Sequence, residues 1–535
     1  MPDTPLALIH STETVSWSKS NETGMFVEDQ SGSISPVKAP GLVFGVDHDV
    51  TYTFQPHNPY LACLPCQDMA RVNADKIQCE GGTSVRSLPG YMVLHAAGAP
   101  ELNVHQCPNR AACPGSNFSL TADGLLSPRT RLCAEGYRPS PGCVRCAPKH
   151  GRPQLDPFTC RPCGSFSLAQ QVGWTVLSSS AFYTVALLSA KPCTDTQQIF
   201  KVFLAFVTIS CRSLAAFLNT QQYQRLKEDL YVSANAIYRV LFAVDLVTTI
   251  EPGSSMDSYD CWGLVEGPVD VLWSLFLAWA IPFVLLVVSW CWSGVQGGLK
   301  ALVVWGNLFV PVFAGAATKL IACFSTQEGQ GRVLMYDAAL GTPCASSMAE
   351  LARLSRFWLA LGTGVILFLL GPVLWLWLAA RDPEKDETVA FLVVGYRPTL
   401  RWWEVIVLVR KTAIFVVAAM FPMSWAPGAH VIYLLGITIV AQLLHVTIQP
   451  YANDFLNRLE AQTLGISSAC LVLVISLLVE WPFRPYAIYV ASSALLAVLT
   501  AGAYIYFLLV YLRAVLTKQP LADEVKQAEE EHGYG

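Results

Sequence analysis

The stretch that decides the fold is Cys133–Cys163, CAEGYRPSPGCVRCAPKHGRPQLDPFTCRPC, which ends a few residues before the first long apolar run. If its cysteines are oxidised, the chain before it lies outside the cytosol and every later loop acquires a side. If Cys143-x2-Cys146 and Cys160-x2-Cys163 instead hold zinc with four thiolates, that topology inverts. Ten cysteines fall in Cys63–Cys163: Cys63, Cys66, Cys79, Cys107, Cys113, Cys133, Cys143, Cys146, Cys160 and Cys163. One zinc site would leave most of them unused. Disulfides are therefore the expectation and zinc the alternative, with the pairing left open by spacing.

Working outward, the 535-residue chain is 53% hydrophobic and 14% charged, with a mean hydropathy of +0.41. That is too apolar for an average soluble protein. The apolar residues concentrate after residue 165, behind a polar first third. A net charge of −4 gives no basic field for nucleic acid. Two sequons, Asn21-Glu22-Thr23 and Asn117-Phe118-Ser119, both lie in that first third and are the glycosylation candidates. The opening MPDTPLALIHSTETVSW has no apolar stretch of about 7–15 residues behind a basic start, so the natural start is expected upstream.

Nine apolar runs are long enough to cross a bilayer: 168–190, 199–218, 269–292, 299–322, 357–380, 402–421, 429–448, 463–481 and 486–512. Ala236–Ile250 is shorter and carries Arg239 and Asp245, with its apolar residues on one face. It reads as an amphipathic helix lying on the membrane. Nine crossings from an outside start put Cys261, Cys323 and Cys344 outside. A Cys323–Cys344 bridge is expected to close one external loop. Basic residues lean to the proposed inner side, eleven against seven, which agrees with this direction.

The most informative membrane stretch is Gly395–Lys411, GYRPTLRWWEVIVLVRK. Arg401, Trp402 and Trp403 read as an interfacial anchor. The helix then carries Arg410 and Lys411 inward by roughly 12 Å at 1.5 Å per residue. A spacing of seven sets Glu404 with Lys411 on one face, and Trp403 with Arg410 on the next. A charge at mid-membrane costs about 2.5–3.5 kcal/mol on insertion scales. The plain reading is snorkelling of the two basic side chains; the sharper one is an ion-pair network with Glu460 or Asp454. In Gln449–Glu460, QPYANDFLNRLE, Pro450 stops one helix and Asn453 or Asp454 can cap the next.

Two resemblances follow from these residues. Cys107-x5-Cys113-Pro-Gly and Cys133-x2-Gly136-Tyr137-x5-Cys143-x2-Cys146 resemble the ephrin-receptor-like, tumour-necrosis-factor-receptor-like cysteine repeats of extracellular proteins. Tyr396, Trp402, Trp403, Glu404, Arg410 and Lys411, with Pro450, Tyr451, Asn457 and Glu460 after an apolar hairpin, resemble the channel-like region of TRP-like and polycystin-like multi-pass proteins. Gly331–Asp337 resembles that family's external loop. The family resemblance implies cation conduction. Those ten residues are expected to form an inner-side coupling motif, because a rigid cysteine block abuts the membrane ahead of them.

Several features are absent from the sequence. No span has a basic residue every third position, no TVGYG-like filter is present, and Trp481–Pro485 is too short for a re-entrant pore segment. No phosphate loop, His-Glu-x2-His or Gly-x-Ser-x-Gly occurs, so neither enzyme activity nor a cofactor or metal is expected. His430 and His445 read as packing histidines. Trp273, Trp279, Trp290, Trp292, Trp375 and Trp377 read as interface and core aromatics.

The resulting expectation is an all-α polytopic membrane domain of about nine helices behind a small disulfide-rich β/loop module. Its divisions are an extracellular β/loop segment at 1–59, cysteine repeats at 60–163, the membrane domain at 164–513 and a cytoplasmic tail at 514–535. The expected role is a TRP-like cation channel or channel-related sensor at the plasma membrane, with the external repeats receiving the signal. The alternative is a non-conducting receptor or adhesion protein. Expected partners are the lipid bilayer, an extracellular ligand or matrix, cations if it conducts, and further copies of the chain.

Overall fold

Cysteine and glycine punctuation breaks the first third into strands too short to build a conventional core. The computed structural model describes, in the main, residues 74–163, 268–337, 371–380, 393–478 and 486–517, with shorter stretches before and between them. The chain forms two compact units, Met1–Pro148 with Ser325–Gly331, and Lys149–Phe324 with Arg332–Gly535.

In the first unit an antiparallel sheet runs in the order Leu126–Pro128, Asn117–Leu120, Ser84–Ser87, Ile77–Gly81. Tyr91–His95 pairs with Leu102–Gln106. Shorter pairings occur before it, such as Trp17–Lys19, Met25–Glu28 and Ile34–Pro36. The core here is largely sulfur: Met92, Cys107, Cys113, Cys133 and Cys143 pack with Ala112. Cys107–Cys113 and Cys133–Cys143 are disulfides, and Cys146, Cys160 and Cys163 are also disulfide-bonded. Crosslinks of this kind supply stability where apolar burial is thin. All four cysteines of the zinc alternative are thus oxidised, which removes it. The side chains of Cys63, Cys66 and Cys79 lie outside the described residues, as does Asn21.

The C-x2-G-Y phrase has a local explanation. Gly136 at φ 88° turns the chain into Tyr137–Arg138, which pairs with Arg145–Cys146, and Cys133–Cys143 closes the loop. Asn109 donates from Nδ2 to the Tyr137 hydroxyl at 3.0 Å, which ties this hairpin to the preceding Cys107–Cys113 loop. Asn117 begins a strand opposite Arg86 and is half-buried.

The second unit is helical. Its elements are α1 (Pro268–Lys319, broken at Gly294), α2 (Gly371–Ala379), α3 (Trp403–Met420), α4 (Pro427–Ile448), α5 (Asp454–Leu478) and α6 (Tyr486–Thr517). Described residues of 173–187 and 198–210 are helical too. Among the described residues, four segments are long and apolar enough to cross a membrane: Gly297–Lys319, Pro427–Ile448, Asp454–Leu478 and Ala491–Ala514. That is four of the nine expected spans. The expected span 402–421 is the helix α3, but its 18 residues hold Glu404, Arg410 and Lys411. The run at 269–292 is helical throughout as the first part of α1, with its side chains described mainly from residue 282 on, and the runs at 168–190, 199–218 and 357–380 are described only in part. Ala236–Ile250 and Trp481–Pro485 lie outside the described residues. An all-α membrane domain of at least four spans is the supported architecture.

The helix α3 is central. More than half its circumference is buried, from Trp403 and Glu404 through Val407, Arg410, Lys411 and Ile414 to Ala419. Its inner turns pack on Val304, Phe313 and Trp375 in one cluster, and on Tyr396, Tyr451 and Phe507 in another. Outward faces of α4 and α6 carry exposed Ile432, Leu443, Val446, Val498, Leu508 and Leu512. Such an apolar exterior suits a lipid solvent. Cys323 and Cys344 form the expected disulfide, at the base of the two-stranded sheet Cys323–Gln327/Gln330–Leu334.

Candidate functional site

Two irregular segments meet before α3 and α5. The helix α4 ends at Ile448 because Gln449 turns left-handed, at φ 47°. Pro450 and Tyr451 then run against Gly395–Arg397. Arg397 N donates to Pro450 O and Ala452 N to Gly395 O, each at 2.9 Å. The rings of Tyr396 and Tyr451 stack at 4.9 Å. Asn453 Oδ1 accepts from Phe455 N, so Asn453 is the cap that starts α5.

Each tyrosine hydroxyl donates to a different carboxylate, Tyr396 to Glu404 at 2.8 Å and Tyr451 to Glu460 at 2.7 Å. Two linked nodes result. In the first, Glu404 Oε2 also meets Lys201 Nζ at 3.3 Å, and Glu404 Oε1 accepts from Asn307 Nδ2. Lys411 Nζ donates to Asn307 Oδ1 at 2.9 Å. The Asn307 amide therefore relays between a buried ammonium and a buried carboxylate. In the second node, Arg410 pairs with Glu460 at 2.9 Å. His445 Nδ1 stands 3.7 Å from Glu460, and Nε2 lies 3.1 Å from the Asn457 carbonyl. A carbonyl only accepts, so Nε2 carries the hydrogen. Asn457 and Tyr451 exchange two further bonds of 3.0 Å each.

The seven-residue spacing on α3 separates the nodes: Glu404 and Lys411 face Asn307, whereas Trp403 and Arg410 face His445 and Glu460. Burial pushes the Tyr396 phenol well above its usual pKa, reinforced by Glu404, Tyr451 and Glu460. Burial and the Glu460 carboxylate do the same for Tyr451. Both phenols therefore stay protonated and able to donate.

The structure thus brings Tyr396, Glu404, Arg410, Lys411, Tyr451, Asn457 and Glu460 into one cluster, with Pro450 buried beside it. Three sequence readings need correction. Arg410 and Lys411 do not snorkel; they are 6% and 5% exposed and held by Glu460 and Asn307. Asp454 is exposed and is not the partner. Trp403 is not an interfacial anchor, since it is 1% exposed inside the bundle, whereas Trp402 is 38% exposed. Lys201, Asn307 and the ionic contact of His445 escaped the sequence reading. Asn307, a lone polar residue in the run WGNLF, was the available signal. His430, by contrast, makes a packing bond with Phe421 O at 2.7 Å. Among the tryptophans, Trp375 is buried in the core while Trp290, Trp292 and Trp377 are exposed.

Gly395 shapes the approach to this cluster. Its φ is +94°, and a Cβ there would stand 2.8 Å from the side chain of buried Gln198. Gly395→Ala is expected to destabilise the membrane unit by about 2 kcal/mol, from the left-handed strain plus the contact. A lowered thermal midpoint in detergent checks this; an unchanged one would show that the turn relaxes freely.

No family model matches the chain, and no solved structure matches it. The chain is 25% identical over 163 residues to Cysteine repeat modular protein B of Toxoplasma gondii. That match covers 28% of this chain and 2% of the other protein's length. The likeness and the disulfide-rich first unit agree on a cysteine-rich module.

Proposed function

We propose that the protein is a channel-related membrane sensor, with the cysteine-rich module outside the cell and the Tyr396–Glu460 cluster at the inner face. In this reading nine helices cross the plasma membrane, Asn21 and Asn117 are glycosylated, and residues 514–535 form a cytoplasmic tail. The observation that carries it is the buried network itself. Three basic and two acidic side chains sit among membrane-spanning helices, where charge is retained for function far more often than for stability. The TRP-like pattern of the same residues supports cation conduction as the output. External ligand or matrix on the cysteine repeats, or tension through them, is the input.

One observation favours a non-conducting receptor as the second reading. Glu404 and Glu460 spend both oxygens on protein donors, Lys201, Tyr396 and Asn307 for one, Arg410 and Tyr451 for the other, leaving neither for a passing ion. Purified protein in planar bilayers is the test. Cation current under tension, altered by charge reversal at Glu404 or Arg410, is the expected result. No conductance, together with loss of partner binding or trafficking in those variants, would replace the channel with the receptor.

A further inference from the structure

The segment Lys149–Cys163 belongs to the second unit, and it does more than lead the chain toward the first apolar run. Its strands His150–Gly151 and Arg161–Pro162 pair, and the turn between them is tightened by one side chain. Asp156 Oδ1 accepts from Phe158 N at 3.2 Å and Oδ2 from Thr159 Oγ1 at 2.7 Å. A turn residue of this kind is ordinarily solvated, yet Asp156 is buried and also accepts from Ser424 Oγ, 268 residues further on. Phe158 beside it is fully buried. Its ring meets Phe324 edge-on at 4.8 Å, and Phe324 in turn meets Trp425 at 6.1 Å.

Ser424 and Trp425 lie in the short loop between α3 and α4, at the opposite end of α3 from Glu404. The same end is held from a second direction, because Tyr336 donates to Ala419 O at 3.1 Å, Met335 N donates to Ala322 O at 2.9 Å, and Cys323–Cys344 closes the base. A rigid helix gripped at one end and tied into an ionic cluster at the other carries displacement along its axis.

We propose that the Asp156–Thr159 turn is a latch through which the cysteine-rich segment acts on α3, and hence on the Glu404 and Glu460 nodes. The signal enters at the α3–α4 loop. This assignment rests on the sensor reading above, since it names how that cluster is regulated. The latch is polar at Asp156–Ser424 and apolar at Phe158, so it releases as a unit: withdrawing the turn strips the Asp156–Ser424 charge-assisted hydrogen bond and the Phe158–Phe324 contact together.

Hydrogen–deuterium exchange on the full chain in lipid nanodiscs tests it, without reference to current. Ser424→Ala and Phe158→Ala are expected to raise exchange roughly fivefold in peptides covering 421–426, and also in 395–402 and 449–453 at the far end of α3. Asp156→Cys with Ser424→Cys, crosslinked by oxidation, is expected to lower it in the same peptides. Changes confined to 156–159 and 421–426 in Ser424→Ala overturn the proposal even if Phe158→Ala fails to fold. Failure to crosslink overturns the latch geometry. Conductance in bilayers bears only on the sensor reading, so the two fail separately.

Discussion

Glu460→Leu is expected to destabilise the membrane unit by about 3–5 kcal/mol, and Arg410→Met by a similar amount. Combining them is expected to recover most of the loss. The reason lies in what each truncation leaves behind. Arg410 is enclosed, with Glu460 2.9 Å away, so removing the carboxylate strands a guanidinium in a medium that cannot solvate it. Glu460→Leu also takes the acceptor from the Tyr451 hydroxyl, whereas Arg410→Met leaves that bond intact. The single changes should therefore differ slightly, with Glu460→Leu the worse. In the double variant no buried charge is left alone, and apolar replacement of an ion pair is commonly neutral. Thermal unfolding of the four proteins in one detergent gives the cycle. Additive losses would mean that the pair is solvated and the network is not closed.

The coupling motif was legible as residues but not as a geometry. Spacing along one helix places Glu404 with Lys411 and Trp403 with Arg410, because seven residues make nearly two turns. It cannot say what stands opposite. Lys201 reaches Glu404 across 203 residues of chain and Asn307 reaches it across 97, contacts that no local period encodes. The error over Trp403 has the same origin. Tryptophan beside arginine at a span's start is an interfacial signal when the helix faces lipid, and α3 instead lies inside the bundle, its Trp403 indole against His445. The cysteines show the converse. Their density announced crosslinks, while the connectivity rests on local turns: Cys107–Cys113 closes around Arg110–Ala112, and Cys133–Cys143 spans the turn at Gly136. The distant pair Cys323–Cys344 was readable because a single loop between two apolar runs left few alternatives.

Asn307 offers the sharper test, because it is neutral and still expected to be indispensable. Asn307→Leu deprives the Lys411 ammonium of its acceptor at 2.9 Å and Glu404 of a donor in the same stroke. Each stranded group costs about 1–3 kcal/mol, more when charged, so a loss of about 3 kcal/mol or greater is expected. Lys411→Met alone is milder. It strands only the Asn307 carbonyl oxygen, at about 1 kcal/mol, and replaces an ammonium by an apolar chain of similar length. In the Asn307→Leu background the sign of Lys411→Met reverses: the lysine is then an uncompensated buried charge, and removing it stabilises. Such a reversal between backgrounds is the signature of two groups acting through one contact. Thermal midpoints of the wild type, both single variants and the double variant decide it. If Lys411→Met destabilises equally in both backgrounds, Asn307 is a packing residue and the relay between Lys411 and Glu404 does not exist.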